Sequence, residues 1–257
     1  MSYCYFDETL RERGKFIIGA LVVSDRDLSP IVAKEWSRLG LDPKSAEYKS
    51  SDPKDGNQLG IAQRAVMAQL LHESKLGLAV APMSDRLRLG EYCASLVVQL
   101  MEERAMGKGE HLLYLDQGIP MDAAYSERLE KLKVSVSLGS DSRMIGGIQV
   151  ADHAAHALGG MLLEEIGMQR KSVRAGEDSG YRPDELLDLG FELWASLRYA
   201  LMGRNEYIEG LSPPPEDPAN PYFRVDGVGL YVSSTCSPEL AAAARARFGV
   251  NYLGRIH

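Results

Sequence analysis

A chain of 257 residues, 45% hydrophobic and 25% charged, can bury the core of one large domain, or of one domain with an appendage, without disulfide support. Its formal net charge of −7 argues against a protein that coats nucleic acid non-specifically, because phosphate binding wants a basic footprint. Its three cysteines, Cys4, Cys93 and Cys236, stand far apart with no Cys-x-x-Cys among them, which argues against a disulfide framework or a structural zinc site and for reduced thiols in a cytoplasmic protein.

In chain order, Tyr3 to Phe6 reads as a short strand ending at Asp7, and Arg11 to Lys15 as a turn through Gly14. Phe16 to Val23, rich in β-branched and aromatic residues, completes a hairpin. Pro30 opens a helix over Ile31 to Leu39 that Gly40 ends. Leu41 to Gly56 is polar, carries Pro43 and Pro53, and reads as loop. Asn57 caps a helix to about Lys75; Gly77 to Met83 is a third strand; Ser84-Asp85 caps a long helix to about Met106, with Cys93 in its core. His111 to Leu115 is a strand that stops at Asp116, Met121 to Leu132 a helix, Val134 to Leu138 a strand, and Ile148 to about Ile166 a helix. A helix near Pro183 to Met202, a proline-rich linker over Leu211 to Pro221, a short β segment over Gly227 to Ser233 and a helix over Pro238 to Phe248 close the chain. An antiparallel opening followed by βαβ units predicts a mixed sheet covered by helices. The apolar runs Phe16 to Val23 and Ala94 to Leu100 are too short to span a bilayer, and the N-terminus lacks a basic region and a signal-peptide core. A homodimer is the simplest assembly open to such a chain.

Four acidic segments carry the chemistry: Tyr5-Phe6-Asp7-Glu8-Thr9, Glu47-Tyr48-Lys49, Leu115-Asp116-Gln117-Gly118 and Gln149-Val150-Ala151-Asp152. Asp7 and Asp116 each close a strand; if the two strands run parallel as neighbours, both carboxylates reach the same sheet end, where sites in α/β folds lie. Either residue alone is also a common turn former. Asp152 lies on a helix whose Ile148, Ala151, Ala155, Leu158 and Leu162 make an apolar stripe, and the alanines let that helix come close to the sheet. Glu47 and Lys49, two apart on an extended segment, point to one side, which suits either a surface ion pair or a grip on metal and phosphate together. Carboxylates drawn together need cations to offset their repulsion, and hard oxygen donors select Mg²⁺ or Mn²⁺. Asp152 and His156, four apart, share a face that could chelate zinc, with no third ligand in view. The basic clusters Arg11-Glu12-Arg13, Arg86-Leu87-Arg88 and Arg170-Lys171 with Arg174 read as solvated faces.

Taken together, these segments resemble the microbial family named domain of unknown function 3800, over about residues 2 to 166. The resemblance rests on Tyr5-Phe6-Asp7-Glu8-Thr9, Glu47-Tyr48-Lys49, the Asp116 strand end and, most specifically, Ile148-Gln149-Val150-Ala151-Asp152-His153-Ala154-Ala155. It implies a ribonuclease-H-like α/β domain over 1–166; residues 167–257, which add nothing to the match, read from their own pattern as a mostly helical C-terminal extension carrying a short β segment. It also implies a metal-dependent nuclease or phosphodiesterase, in which Asp7, Asp116 and Asp152 ligate Mg²⁺ or Mn²⁺ and Glu47 completes the site for two-metal hydrolysis of a phosphodiester. In that reading Lys49 offsets phosphate charge, Gln149 orients a ligand or the water, and Glu8 supports the site from behind. Glu91, on the helix after the third strand, competes with Glu47 as the second acid. Leu10 stands where the family often has glycine. The alternatives are a non-catalytic ribonuclease-H-like binding or regulatory module, or a hydrolase of a small phosphorylated metabolite.

Overall fold

The computed structural model describes residues 1–52, 57–175, 181–182, 184–206, 223–225 and 228–253. A six-stranded mixed sheet forms the centre. Its first strands are β1 (Ser2–Arg11), β2 (Phe16–Ser24) and β3 (Lys75–Pro82), an antiparallel meander; β4 (His111–Asp116) then lies parallel to β1, and β5 (Val134–Ser140) parallel to β4. The order of these five is 3-2-1-4-5, with β2 alone running against the others, and a strand from the extension adds the sixth beside β3. This is the ribonuclease-H-like α/β sheet that the resemblance implies.

β1 runs four residues beyond the strand end predicted at Asp7. Its partner β2 is buried along its whole length and holds the polar half of β1 in register through Asp7↔Ala20 to Arg11↔Phe16. The pairing with β4 stops earlier, at Phe6↔Leu115. Asp7 is therefore not the end of a strand but the point where β1 loses its neighbour on one side.

Helices α1 (Ser29–Arg38), α2 (Gln58–His72) and α5 (Gly147–Glu165) cover one face, in a core with Tyr5, Trp36, Tyr48, Leu71 and Ile148. Helix α3 (Leu89–Glu102) covers the other face, in a core with Phe6, Cys93, Leu113 and Leu129, the last contributed by α4 (Ala123–Lys131). The cap of α2 is Asn57, whose Oδ1 accepts the Gly60 N–H at 3.1 Å. Ser84-Asp85 does not cap α3: a 3₁₀ turn, Met83–Arg88, precedes it, and Asp85 accepts the hydroxyls of Tyr92 and Thr235 at 2.5 Å each.

The extension carries β6 (Ser172–Arg174), β7 (Leu186–Asp188), α6 (Leu189–Leu197), β8 (Arg204–Glu206), β9 (Phe223–Val225), β10 (Leu230–Val232), α7 (Pro238–Phe248) and β11 (Val250–Tyr252). It thus has more β structure than the one segment predicted, and helix α6 starts after a strand rather than near Pro183. The predicted linker over 211–221, like Pro183 itself, lies outside the described residues. The boundary expected at 166 does not separate two cores. β10 pairs in parallel with β3 and becomes the edge of the main sheet, while Leu197, Leu230, Leu240 and Phe248 pack into the α5-face core. No helix among the described residues is long and apolar enough to cross a membrane.

Candidate carboxylate site

Side chains of a strand alternate between faces. On β1, Tyr5 belongs to the α5-face core and Phe6 to the α3-face core; on β4, Tyr114 packs with the former and Leu115 with the latter. The Tyr5 and Tyr114 rings stack at 5.6 Å, one rung of this ladder. Asp7 and Asp116 are the residues just beyond the last β1–β4 pair, Phe6↔Leu115, and strand alternation puts both on the face of Tyr5 and Tyr114; the register shift between β4 and β5 falls between Tyr114 and Asp116.

Helix α5 brings the third carboxylate. A Cβ on Gly147 would meet the Tyr5 ring at 2.4 Å, and one on Gly159 would meet Arg11 Nε at 2.4 Å, so α5 lies directly along β1 in the same direction. Asp152 is five residues past Gly147, about 7.5 Å of helix rise. Asp7 is two residues past Tyr5, about 6.6 Å of strand. The two therefore come level.

The fourth segment is tied to α5 by three residues spaced three and four apart. Gln149 Oε1 accepts the Tyr48 N–H at 2.8 Å, Asp152 accepts the Ser50 N–H at 2.7 Å and the Ser50 hydroxyl at 2.8 Å, and His153 Nδ1 meets the Tyr48 hydroxyl at 3.1 Å. With Tyr48 and Ser50 turned to the helix, Glu47 and Lys49 face the other way and pair with each other at 2.7 Å. The Ser142 hydroxyl also donates to Glu47.

The electrostatics follow from this convergence. Asp7 is buried, accepts one N–H from Glu8 at 2.7 Å, and is held well above the usual carboxylate range by burial first, then by Asp116, Asp152 and Glu8. Burial likewise pushes Asp116 up to about 6, against the pull of the Gln117 N–H and Lys49. Asp152 is raised by burial despite its two bonds from Ser50 and the charge of Lys49. Glu47 goes the other way: burial raises it, but Lys49 and Ser142 outweigh that and hold it low.

Asp7, Asp116, Asp152, Glu47 and Lys49 are thus brought together. Glu91 is not; its carboxylate accepts from Arg88 at 3.1 Å on the α3 side. Glu8 also falls on the α3 face, 3.6 Å from Arg86, with its buried Oε2 unpartnered. Gln149 does not orient a ligand or water with its carboxamide: the group is buried and links Tyr48 to the Ser142 carbonyl, which it meets at 2.8 Å. Among the described residues no third ligand joins Asp152 and His156 to complete a zinc site, and each Asp152 oxygen accepts a bond from Ser50. Among the described residues no three His, Cys, Asp or Glu side chains are gathered tightly enough to enclose a metal ion. Ser50 and Ser142 were not foreseen; the only signal for Ser50 was its place two residues past Tyr48, on the same side of an extended segment.

The donor chemistry nevertheless fits a hard divalent cation. Asp7 and Asp116 are oxygen donors whose ionisation is resisted by burial and by neighbouring carboxylates, Asp116 and Asp152 for Asp7, Glu8 and Glu47 for Asp116, and a cation would relieve that resistance.

No protein-family model matches the chain, and no curated protein matches it. Among solved structures, a chain of the PCNA:RNase HII complex from Archaeoglobus fulgidus is similar at 12% identity and a TM-score of 0.35, over 60% of this chain and 69% of that one. A likeness at that score bears no weight; the strand order and directions carry the fold assignment.

Proposed function

We propose that the chain is a metal-dependent phosphodiester hydrolase acting on nucleic acid, built on the pattern of the domain of unknown function 3800 family. The observation that carries this reading is the convergence of Asp7, Asp116 and Asp152 on one sheet end, two of them just past the last pair of adjoining parallel strands, with raised affinities for protons. Mg²⁺ or Mn²⁺ would be held by Asp7 and Asp116, with Asp152 and Glu47 opposite, and would supply Lewis acidity towards a phosphoryl oxygen and an attacking water. Lys49 supplies a positive charge beside Asp116 and Asp152, placed to offset phosphate charge. Ser50 fixes the Asp152 carboxylate, and Gln149 fixes the backbone that presents Glu47 and Lys49; both are positioning residues.

One observation favours the second reading, a non-catalytic binding module: Asp152 is already satisfied by Ser50, so chelation has to compete with two hydrogen bonds. Cleavage of labelled single-stranded DNA, duplex DNA, RNA and RNA–DNA hybrid in Mg²⁺, Mn²⁺ or EDTA separates the two. The expected result is metal-dependent cleavage of at least one substrate, reduced at least about 100-fold in Asp116→Asn. Equal turnover by wild type and variant, or none by wild type in either metal, sinks the hydrolase reading.

A further inference from the structure

Behind the Ser50 grip on Asp152 lies a cavity of about 580 Å³, bounded by Tyr48 and Ser50, by α2 and α5, and by the start of the extension. Four cations line it: Arg11 from the end of β1, Arg64 from α2, and Arg170 and Lys171 from the extension. Among the described residues that line it there is no Asp or Glu. In a chain of net charge −7 such a lining is not a sample of the average surface. Among the described residues, the acids beside it include Asp152, behind Ser50, Asp52, whose charge reaches the Tyr48 wall, and Asp188, 3.9 Å from Arg170.

The cations differ in how far they are committed. Arg11 donates through one guanidinium nitrogen to the His156 carbonyl, while its buried Nε has no hydrogen-bond partner. Arg64 is exposed and hydrogen-bonds the Tyr48 side chain, Lys171 is exposed, and the Arg170 side chain is 85% exposed. Burial, reinforced by Arg11, Arg64 and Lys171, pushes the imidazole of His156 on the cavity wall down to about 4, as expected where the local potential is positive. The remaining wall mixes Gln169 with the apolar Val173, Leu189 and Leu193. Guanidinium forks match phosphate oxygens bidentately, and a volume of this size admits a nucleotide.

We propose that this cavity is a phosphate-binding subsite that takes a backbone phosphate of the nucleic acid strand away from the reacting one, with Arg64, Lys171, Arg170 and Arg11 as its donors. The assignment rests on the hydrolase reading for the identity of the strand. It adds that the extension is part of substrate binding: two of the four cations come from it.

The test is fluorescence anisotropy in EDTA, where no metal-dependent cleavage occurs, with a 5′-fluorescein 12-nucleotide single-stranded RNA or DNA across a salt series. Inorganic phosphate and a mononucleotide serve as competitors. The variants are Arg64→Ala with Lys171→Ala and, as a control of equal charge on α4, Arg128→Ala with Lys131→Ala. We expect the cavity double variant to lose at least about 10-fold in affinity and to flatten the salt slope by about 1.5, the control keeping wild-type values. Parallel thermal melts verify folding of both. Equal affinity in the two double variants, or no binding of either oligonucleotide by wild type, overturns the strand subsite. If only the mononucleotide and phosphate bind, and the cavity variant loses them, the strand assignment falls in favour of a small phosphorylated molecule. Asp116→Asn keeps the two readings apart. Binding that depends on the cavity without any metal-dependent cleavage removes the hydrolase and leaves the subsite; cleavage that depends on Asp116 with cavity-independent binding does the reverse.

Discussion

Asp116 gives the carboxylate cluster a titration that can be followed. Its folded-state pKa is about 6 against an ordinary 3.8, and Asp7 and Asp152 shift in the same direction. A carboxyl group raised on folding favours the protonated fold. Stability from this source is therefore present below about pH 4 and is lost as pH climbs through about 4 to 6. In EDTA, Asp116→Asn removes that loss, and its melting temperature should exceed that of wild type at pH 7.5 by the equivalent of about 1 kcal/mol, after screening at a half-exposed group is allowed for. At pH 4 the two should melt together. Mg²⁺ or Mn²⁺ should stabilise wild type more at pH 7.5 than at pH 5, because the ligands must be deprotonated to bind it. A wild type that in EDTA melts above Asp116→Asn at pH 7.5 contradicts the account in which burial disfavours the ionised Asp116. Asp116 and Asp152 are foreseeable from strand-end position and helix periodicity. Ser50 is not, because its partner lies 102 residues away and no local pattern marks a loop residue that grips a helix.

At the scale of elements, the register of α5 along β1 decides whether three carboxylates meet. Gly147 sets one end of that register. A Cβ there would enter the Tyr5 ring, and Tyr5 cannot yield. Its hydroxyl donates to Asp27 at 3.0 Å and accepts the Leu28 N–H at 2.9 Å, and its ring is stacked on Tyr114. Gly147→Ala should therefore destabilise by about 1–3 kcal/mol through overpacking, more than the helix-propensity gain of at most about 1 kcal/mol returns. Urea unfolding measures it, and an unchanged or higher midpoint would show that α5 is free to lift off the strand. Elements with a strong period or cap are legible in the sequence: β2, α2 behind Asn57, and α7 at Pro238–Phe248. The length of β1 is not, because Asp7-Glu8-Thr9 looks like a turn until the wholly buried β2 is placed beside it. The loop over 46–50 is illegible for a related reason: its conformation is dictated by Gln149 and Asp152 rather than by its own residues.

For the whole molecule, the question is whether residues 1–166 can stand without the rest. Their sheet has β3 at one side, and β10 covers that edge through Leu230↔Leu78 to Val232↔Val80. Leu76 is held from the same side by backbone bonds with Ala200 at 2.8 Å and Met202 at 2.8 Å. Cutting after Ile166 therefore bares an apolar parallel edge, the kind of surface that pairs with other chains. It also strips Leu197, Leu201, Leu230, Leu240, Ala244 and Phe248 from the α5-face core. At about 1.5–3 kcal/mol for each large side chain, that loss is comparable with the net stability of about 5–15 kcal/mol on which a domain of this size rests, before the bared edge is added. A 1–166 fragment should thus aggregate or show no cooperative melt, while the full chain melts in one transition under the same conditions. A soluble fragment melting cooperatively within a few degrees of the full chain would make residues 167–257 a detachable appendage. The cavity cations Arg170 and Lys171 would then be ornaments on a self-sufficient fold rather than part of the structure that carries the carboxylates.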